Sequence, residues 1–299
     1  MKSPHLLALY HMSNKWGAVQ YSNAIFKRFI KRKVSIFGLV VLAIFFFTAL
    51  VGPILCTQDP LGQDTKAIHQ GPSVEHIFGT DYLGRDTFTR LVYGARISLL
   101  LSFSGVLSGS IIGIILGVCA GYFGKAADAI ISRLIDIMLA FPSLLLAMTI
   151  VAILGNGLFN TAVAIAIFSI PSVARMVRGV VISLRDSQYI SAAKVMGESS
   201  LRIVGTHIIP NAVSQMIVNI TLNLGTAILT SSSLSFLGLG VQPPNPEWGA
   251  MLSKAREALR INPSEAIFPG LAITLVVMSF SLVGDGLRDA LDPKLKNVS

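Results

Sequence analysis

The stretch that decides the fold runs from Tyr189 to Asn211 and reads YISAAKVMGESSLRIVGTHIIPN. It is polar, and it lies between two apolar runs long enough to cross a membrane. Its first residues have the pattern of a short amphipathic helix. Gly197 then allows a break, and Pro210 restarts the chain into the next apolar run. A polar segment framed in this way is a loop between membrane spans.

The rest of the 299-residue chain supports that frame. It is 53% hydrophobic and only 13% charged, against roughly 25% charged in soluble domains. Its mean hydropathy is +0.68. A helix needs about 20 apolar residues to cross the hydrocarbon core. Six stretches qualify, at about 34–56, 97–121, 137–154, 158–174, 212–240 and 266–284. The expected fold is therefore all-α and integral to the membrane, with six transmembrane helices. The apolar run at 6–9 is too short for a cleavable signal peptide, so none is expected.

The net charge of +9 is distributed unevenly. Residues 1–33 carry seven Lys or Arg and no acid, whereas 57–95 carry five acids and three bases. The segment 175–207 carries five bases and two acids. This is the positive-inside pattern, so both termini are expected in the cytoplasm and nucleic acid is not an expected partner. The chain divides into a basic tail (1–33), a first span with its external loop (34–95), a transmembrane domain (96–290) and a C-terminal tail (291–299). Cys56 and Cys119 fall near opposite membrane faces, too far apart for a disulfide. Neither sits in a metal-binding pattern, and no metal site is expected.

Several short patterns stand out. Phe78-Gly79-Thr80-Asp81-Tyr82-Leu83-Gly84-Arg85-Asp86 reads as a turn, with Arg85 and Asp86 as a solvated pair. Gly105, Gly109, Gly113, Gly117 and Gly121 form a smooth ridge on one helix, suited to close helix packing. Asp128, Arg133 and Asp136 sit near the cytoplasmic start of the third span. They read as a loose charge cluster, with a proton relay as the sharper alternative. Pro142, Pro171 and Pro269 are expected to kink their spans. Asn219, Asn223, Thr226, Thr230 and Ser233 repeat at spacings of 4, 3, 4 and 3, so they share one helical face. That face meets either another helix or an aqueous path. After it, Pro243, Pro244 and Pro246 stiffen an external loop that ends in Glu247 and Trp248, with Trp248 placed as an interface anchor. Asp285, Arg288 and Asp292 can form a surface charge ladder.

Taken together, these strings resemble one family. Ser191-Ala192-Ala193, Gly197 and His207-Ile208-Ile209-Pro210 are similar to the cytoplasmic coupling loop of ATP-binding cassette (ABC) importer permeases, with Ser191 where Glu is usual. The strings 78–86, 235–249 and 284–294 resemble the C-type subunit of the dipeptide/oligopeptide/nickel permease group. The resemblance covers residues 25–296. It implies a type I ABC importer permease fold with a cytoplasmic coupling helix. Tyr189, Ser191, Ala192, Ala193, Gly197, His207 and Pro210 would then belong to the ATPase-coupling loop, and the Asn219–Ser233 stripe would line the pathway. Asp81, Arg85, Asp86, Pro243, Pro244, Glu247 and Trp248 would lie in outer loops facing a solute-binding protein. Implied partners are a second permease, two ATP-binding subunits, the binding protein and membrane lipid, in a bacterial inner membrane. The implied cargo is a di- or oligopeptide, glutathione-like peptides included, with nickel or a metal chelate as the alternative.

The absences agree with that assignment. No G-x-x-x-x-G-K-[ST] loop occurs, so ATP and its Mg²⁺ are expected on partner subunits and no cofactor on this chain. Neither His-Glu-x-x-His nor Gly-x-Ser-x-Gly occurs, which leaves a membrane hydrolase unsupported. A proton-coupled secondary transporter using Asp128 and Asp136 is the alternative from another class. Such carriers show internal repeats, and no convincing repeat of the first three spans appears in the last three.

Overall fold

The computed structural model describes residues 25–291. A short helical stretch over 25–31 leads into α1 (Lys33–Leu55), which is followed by a loop and then α2 (Thr87–Phe123). Next come α3 (Lys125–Leu139), α4 (Ser143–Leu154) and α5 (Leu158–Arg185). The polar segment folds as α6 (Gln188–Val195), α7 (Ser200–Ile203) and a π-helical turn (Val204–Ile208). Then follow α8 (Ile209–Phe236), α9 (Trp248–Ala255) and α10 (Ser264–Leu291). No strand occurs among the described residues, only an isolated bridge between Thr80 and Asp86. Helices are the expected outcome, because backbone groups inside lipid must be hydrogen-bonded within their own segment.

Among the described residues five helices are long and apolar enough to cross a membrane, and the bent pair α3–α4 is a candidate for a sixth span. The third span, expected as one helix kinked at Pro142, is two helices. Its two halves meet at 91°, because Pro142 is the N-cap of α4 and not a kink within one helix. Pro171 and Pro269, by contrast, lie inside the continuous helices α5 and α10. The second span also starts ten residues before its apolar run. Asp86 caps α2 by accepting from the Thr89 N–H at 2.7 Å, which extends the helix outward through Arg90 and Arg96.

The glycine ridge packs within the chain. It lies on α5, which runs parallel to α2, and the register holds from Gly105 on Ile165 to Gly121 on Val181. A Cβ on Gly109 would stand 2.3 Å from the Ala166 carbonyl oxygen, and one on Gly117 2.6 Å from that of Ala174. Only glycine lets the two backbones come this close. Around this pair, α8 and α10 pack together and α1 lies against α10 and α2. Phe37, Ile44, Phe47, Leu50 and Ile54 of α1 are exposed, as a lipid-facing helix requires.

The two cysteines are free. Arg32 pairs with Asp289 and ties the start of α1 to the end of α10. Asp292 of the charge ladder lies outside the described residues, as do most of the two tails.

Candidate functional site

At the end of the bundle expected to face the cytoplasm, called the inner end and its opposite the outer end, α6 presents two faces. Ile190 and Ala193 are buried, together with Ile203 and Ile208, against Tyr122, Val173, Val177 and Val181 of α2 and α5. Ala193 is small because it sits in this packed cluster. Ser191 and Ala192 point outward. Gly197 ends α6 in a left-handed conformation, φ +81°. The Glu198 N–H donates to Ala193 O and the Gly197 N–H to Lys194 O, which is the hydrogen-bond pattern of a Schellman cap. The chain then turns back, and Pro210 starts α8, where no backbone donor is needed.

His207 closes the turn. Its ring lies 3.2 Å from a Glu198 carboxylate oxygen and meets Tyr189 edge-on at 6.4 Å. The loop thus has a fixed shape and an unpaired outer surface. Val195, Met196 and Leu201 are 89%, 75% and 82% exposed, with Tyr189 beside them. Such a run of bare apolar side chains on an otherwise polar loop has the character of a docking surface.

The outer end is built differently. Asp81 pairs with Arg85 at 2.7 Å and with Arg90 at 3.4 Å. Asp86 accepts from Thr89 and lies 3.1 Å from His76. His69 reaches Glu265 at 2.6 Å, and Asn262 donates to Gln70 O and Thr80 O. Phe78 stacks on Phe268 at 3.8 Å. The external loop is therefore strapped to the starts of α2 and α10.

Arg85 and Asp86 are 3% and 7% exposed, which corrects their reading as a solvated pair. Gly84 explains the tightness: φ is +71°, and a Cβ would fall 1.8 Å from the Asp64 carbonyl oxygen. Trp248 is also corrected. It is fully buried, donates Nε1–H to Leu91 O at 3.0 Å and meets Phe45 edge-on, so it anchors the cap and not the membrane interface. Glu247 is fully buried as well and caps α9 through the Ala250 N–H. Burial pushes its carboxyl above the ordinary range, although backbone N–H groups and Ser98 oppose the shift. Of the residues expected to face outward, Pro243 and Pro244 are exposed and Asp81 is half-buried, while Arg85, Asp86, Glu247 and Trp248 are buried.

The polar stripe of α8 divides along its length. Thr226 is exposed, Asn219, Asn223 and Ser233 are half-buried, and Thr230 is buried. Asn223 donates to Asn219 Oδ1 at 2.9 Å, and Ser233 donates to Leu229 O. These hydrogen bonds stay within the helix and leave the stripe compatible with water.

The sequence reading paired the acids of the third span with Arg133. The structure pairs them with α5 instead. Arg178 grips Asp128 with two nitrogens, at 2.5 and 2.8 Å, and Arg175 meets Asp136 at 2.5 Å. Arg133 makes no ion pair among the described residues. The signal in the sequence is Arg175 and Arg178, two bases three residues apart on one face of an otherwise apolar helix.

Comparison with known proteins places this architecture. Residues 109–297 match the family described as binding-protein-dependent transport system inner membrane component. Residues 21–72 match the N-terminal transmembrane domain of oligopeptide transport permease C. The chain is 49% identical to a dipeptide transport system permease protein, DppC, of Alkalihalophilus pseudofirmus, over 95% of this chain and 93% of that one. It is 48% identical to a glutathione transport system permease protein, GsiD, of Pectobacterium atrosepticum, covering 91% and 90%. Among solved structures, an inward-facing form of the MetNI methionine ABC transporter shares the fold. The TM-score is 0.56 at 20% identity, over 68% of this chain and 97% of that one. The chain belongs to the binding-protein-dependent transport inner-membrane components, and within them to the dipeptide/oligopeptide/nickel group of ABC importer permeases.

Proposed function

We propose that this chain is one of two permease subunits that together form the translocation pathway of an importer for short peptides, glutathione-like peptides included. The carrying observation is the bare apolar surface of Tyr189, Val195, Met196 and Leu201 on a loop held rigid by the Gly197 cap. A separate ATP-binding subunit docks there, and a second copy serves the other permease. Those subunits bind ATP with Mg²⁺, and this chain carries neither. The loop and both termini lie in the cytoplasm, under a bacterial inner membrane. A solute-binding protein delivers cargo to the opposite end, onto exposed cap residues such as Val74, Ile77, Pro243, Pro244 and Ile261.

ATP binding closes the ATPase pair, and the rigid loop carries that motion into α5 and α8. The pathway at the permease–permease interface switches from inward- to outward-facing. The work comes from the different ATP affinities of the two states, since only a differential affinity moves such an equilibrium. The dipeptide and glutathione relatives favour a peptide cargo over nickel.

The test is to tag the C-terminus, extract the chain in mild detergent and identify what accompanies it. A second six-span permease and P-loop ATPases are the expected companions. Purification of the chain alone, with proton-driven uptake indifferent to ATP, would overturn the proposal.

A further inference from the structure

Asp128–Arg178 and Asp136–Arg175 differ in a way that separates a structural pair from an available one. Arg178 binds both oxygens of Asp128, Ser132 donates to the same carboxylate, and the two side chains are 33% and 25% exposed. That pair is saturated. Arg175 and Asp136 share a single nitrogen–oxygen contact and are 57% and 58% exposed. One carboxylate oxygen of Asp136 and most of the Arg175 guanidinium have no partner among the described residues. Both side chains line a cavity of about 320 Å³ with Ser132, Ile135 and Arg178. A volume of this order suits a small ligand.

The cavity lies near the inner mouth of the bundle. By helix rise, Arg175 lies about 26 Å along α5 from Leu158, close to the inner edge of a hydrocarbon core of about 30 Å, and neighbouring Val173 and Val177 pack against the 190–208 loop. Charges as exposed as these reach water at that level. The break at Ala140–Pro142 gives an independent indication. By the same helix rise, α4 extends only about 18 Å below its outer end, so the exposed, non-helical residues 140–142 lie at membrane depth. Irregular backbone is tolerated there only when it is buried in protein or lines an aqueous cavity. One turn beyond Arg175 on the same face, Gly179 has open space where a Cβ would be.

We propose that Asp136 and Arg175 form a solute-contacting site on the translocation pathway, specific for a molecule carrying both an ammonium and a carboxylate. This rests on the peptide-importer reading, because the two termini of a short peptide supply those groups. The peptide carboxylate takes the free fork of Arg175, which matches it in geometry. The peptide ammonium takes the open oxygen of Asp136. When empty, the two side chains hold each other, so neither charge is left unpaired between transport cycles.

The experiment uses the whole importer in proteoliposomes with its binding protein, reading uptake of a labelled tripeptide and ATP hydrolysis in parallel. Arg175→Gln should lower uptake about tenfold, the loss expected when one charged hydrogen-bond partner is removed, while binding-protein-stimulated ATP hydrolysis persists. Gly179→Leu adds volume to an open helical position and favours the helix, so it should assemble normally and still lower uptake. Wild-type uptake in both variants would overturn the site. So would a fall of ATP hydrolysis in step with uptake, which would make the pair a latch of the conformational change. If the unsubstituted importer drives no peptide uptake with ATP, the importer reading itself fails, and that outcome is visible before any variant is made.

Discussion

The two ends of the bundle carry motifs that look alike in sequence and behave in opposite ways. At the outer end, Gly79 to Asp86 and Glu247-Trp248 turn inward. Arg85, Asp86, Glu247, Asn262 and Glu265 are all below 10% exposed, and each has a polar partner. At the inner end, Tyr189, Val195, Met196 and Leu201 turn outward and stay bare, while Ile190 and Ala193 pack against α2 and α5. Glycine, charge and aromatic residues in a loop therefore mark a clamp at one end and a docking surface at the other. What separates them is whether the large side chains are buried within the chain. A closed cap is completed by its own chain, while the open loop leaves an apolar surface uncovered.

Truncating Trp248 tests the clamp with the largest expected effect. Trp248→Ala removes a fully buried ring and its hydrogen bond. It should cost about 3–5 kcal/mol, read as a lower Tm of the purified complex. A change within error would mean the cap is not a cooperative part of the fold. Next come two glycines with similar backbone angles. Gly84→Ala meets the Asp64 backbone directly and should cost about 3 kcal/mol from strain and overpacking together. Gly197→Val meets nothing within 4 Å, so only the left-handed strain remains, about 1–2 kcal/mol. The Gly197 variant should insert and assemble, yet hydrolyse ATP without matching uptake. Equal thermal losses at the two positions would erase the distinction between the ends.

A smaller effect concerns Glu247. Its carboxyl is raised in the folded protein by burial, so the folded state holds the proton more tightly than the unfolded one. Stability from this group is present below the ordinary carboxylate value and is lost as pH rises through the raised one. Glu247→Gln should therefore lose less Tm than the unsubstituted protein between pH 4 and pH 8. Parallel pH profiles would show that Glu247 does not titrate in the cap.

The helical spans were legible because apolar length is a one-dimensional signal. Gly197 and Pro210 were legible because backbone chemistry limits what those residues can do. The glycine ridge announced close packing but not its partner, since the residues it meets on α5, from Ile165 to Val181, lie sixty positions away. The cap was misread for the same reason. A string such as Gly84-Arg85-Asp86 has the composition of an exposed turn, and nothing local shows that Asp64, His76 and Asp81 will close over it. Pro142 suggested a kink, but the size of the bend depends on α4 packing against α5. Asp136 and Arg175 lie 39 residues apart and meet only through that packing. The pairing of Asp128 and Asp136 with α5 is a property of the tertiary fold.

The smallest effect on stability should come from the inner surface, and it is the sharpest test of the comparison. Leu201 is 82% exposed and Met196 75% exposed, so neither contributes much to the fold of the isolated chain. Serine at either position should leave Tm unchanged within about 0.5 kcal/mol. If these side chains insert into a pocket on an ATPase subunit, each acts as an interface anchor, and its loss costs about 2 kcal/mol of docking. The recovery of ATPase with the tagged chain should then fall well over tenfold, while recovery of the second permease stays the same. A Tm drop without loss of ATPase would turn the comparison around. It would show that Leu201 and Met196 fold back on their own chain, and that the inner loop, like the outer cap, is a clamp.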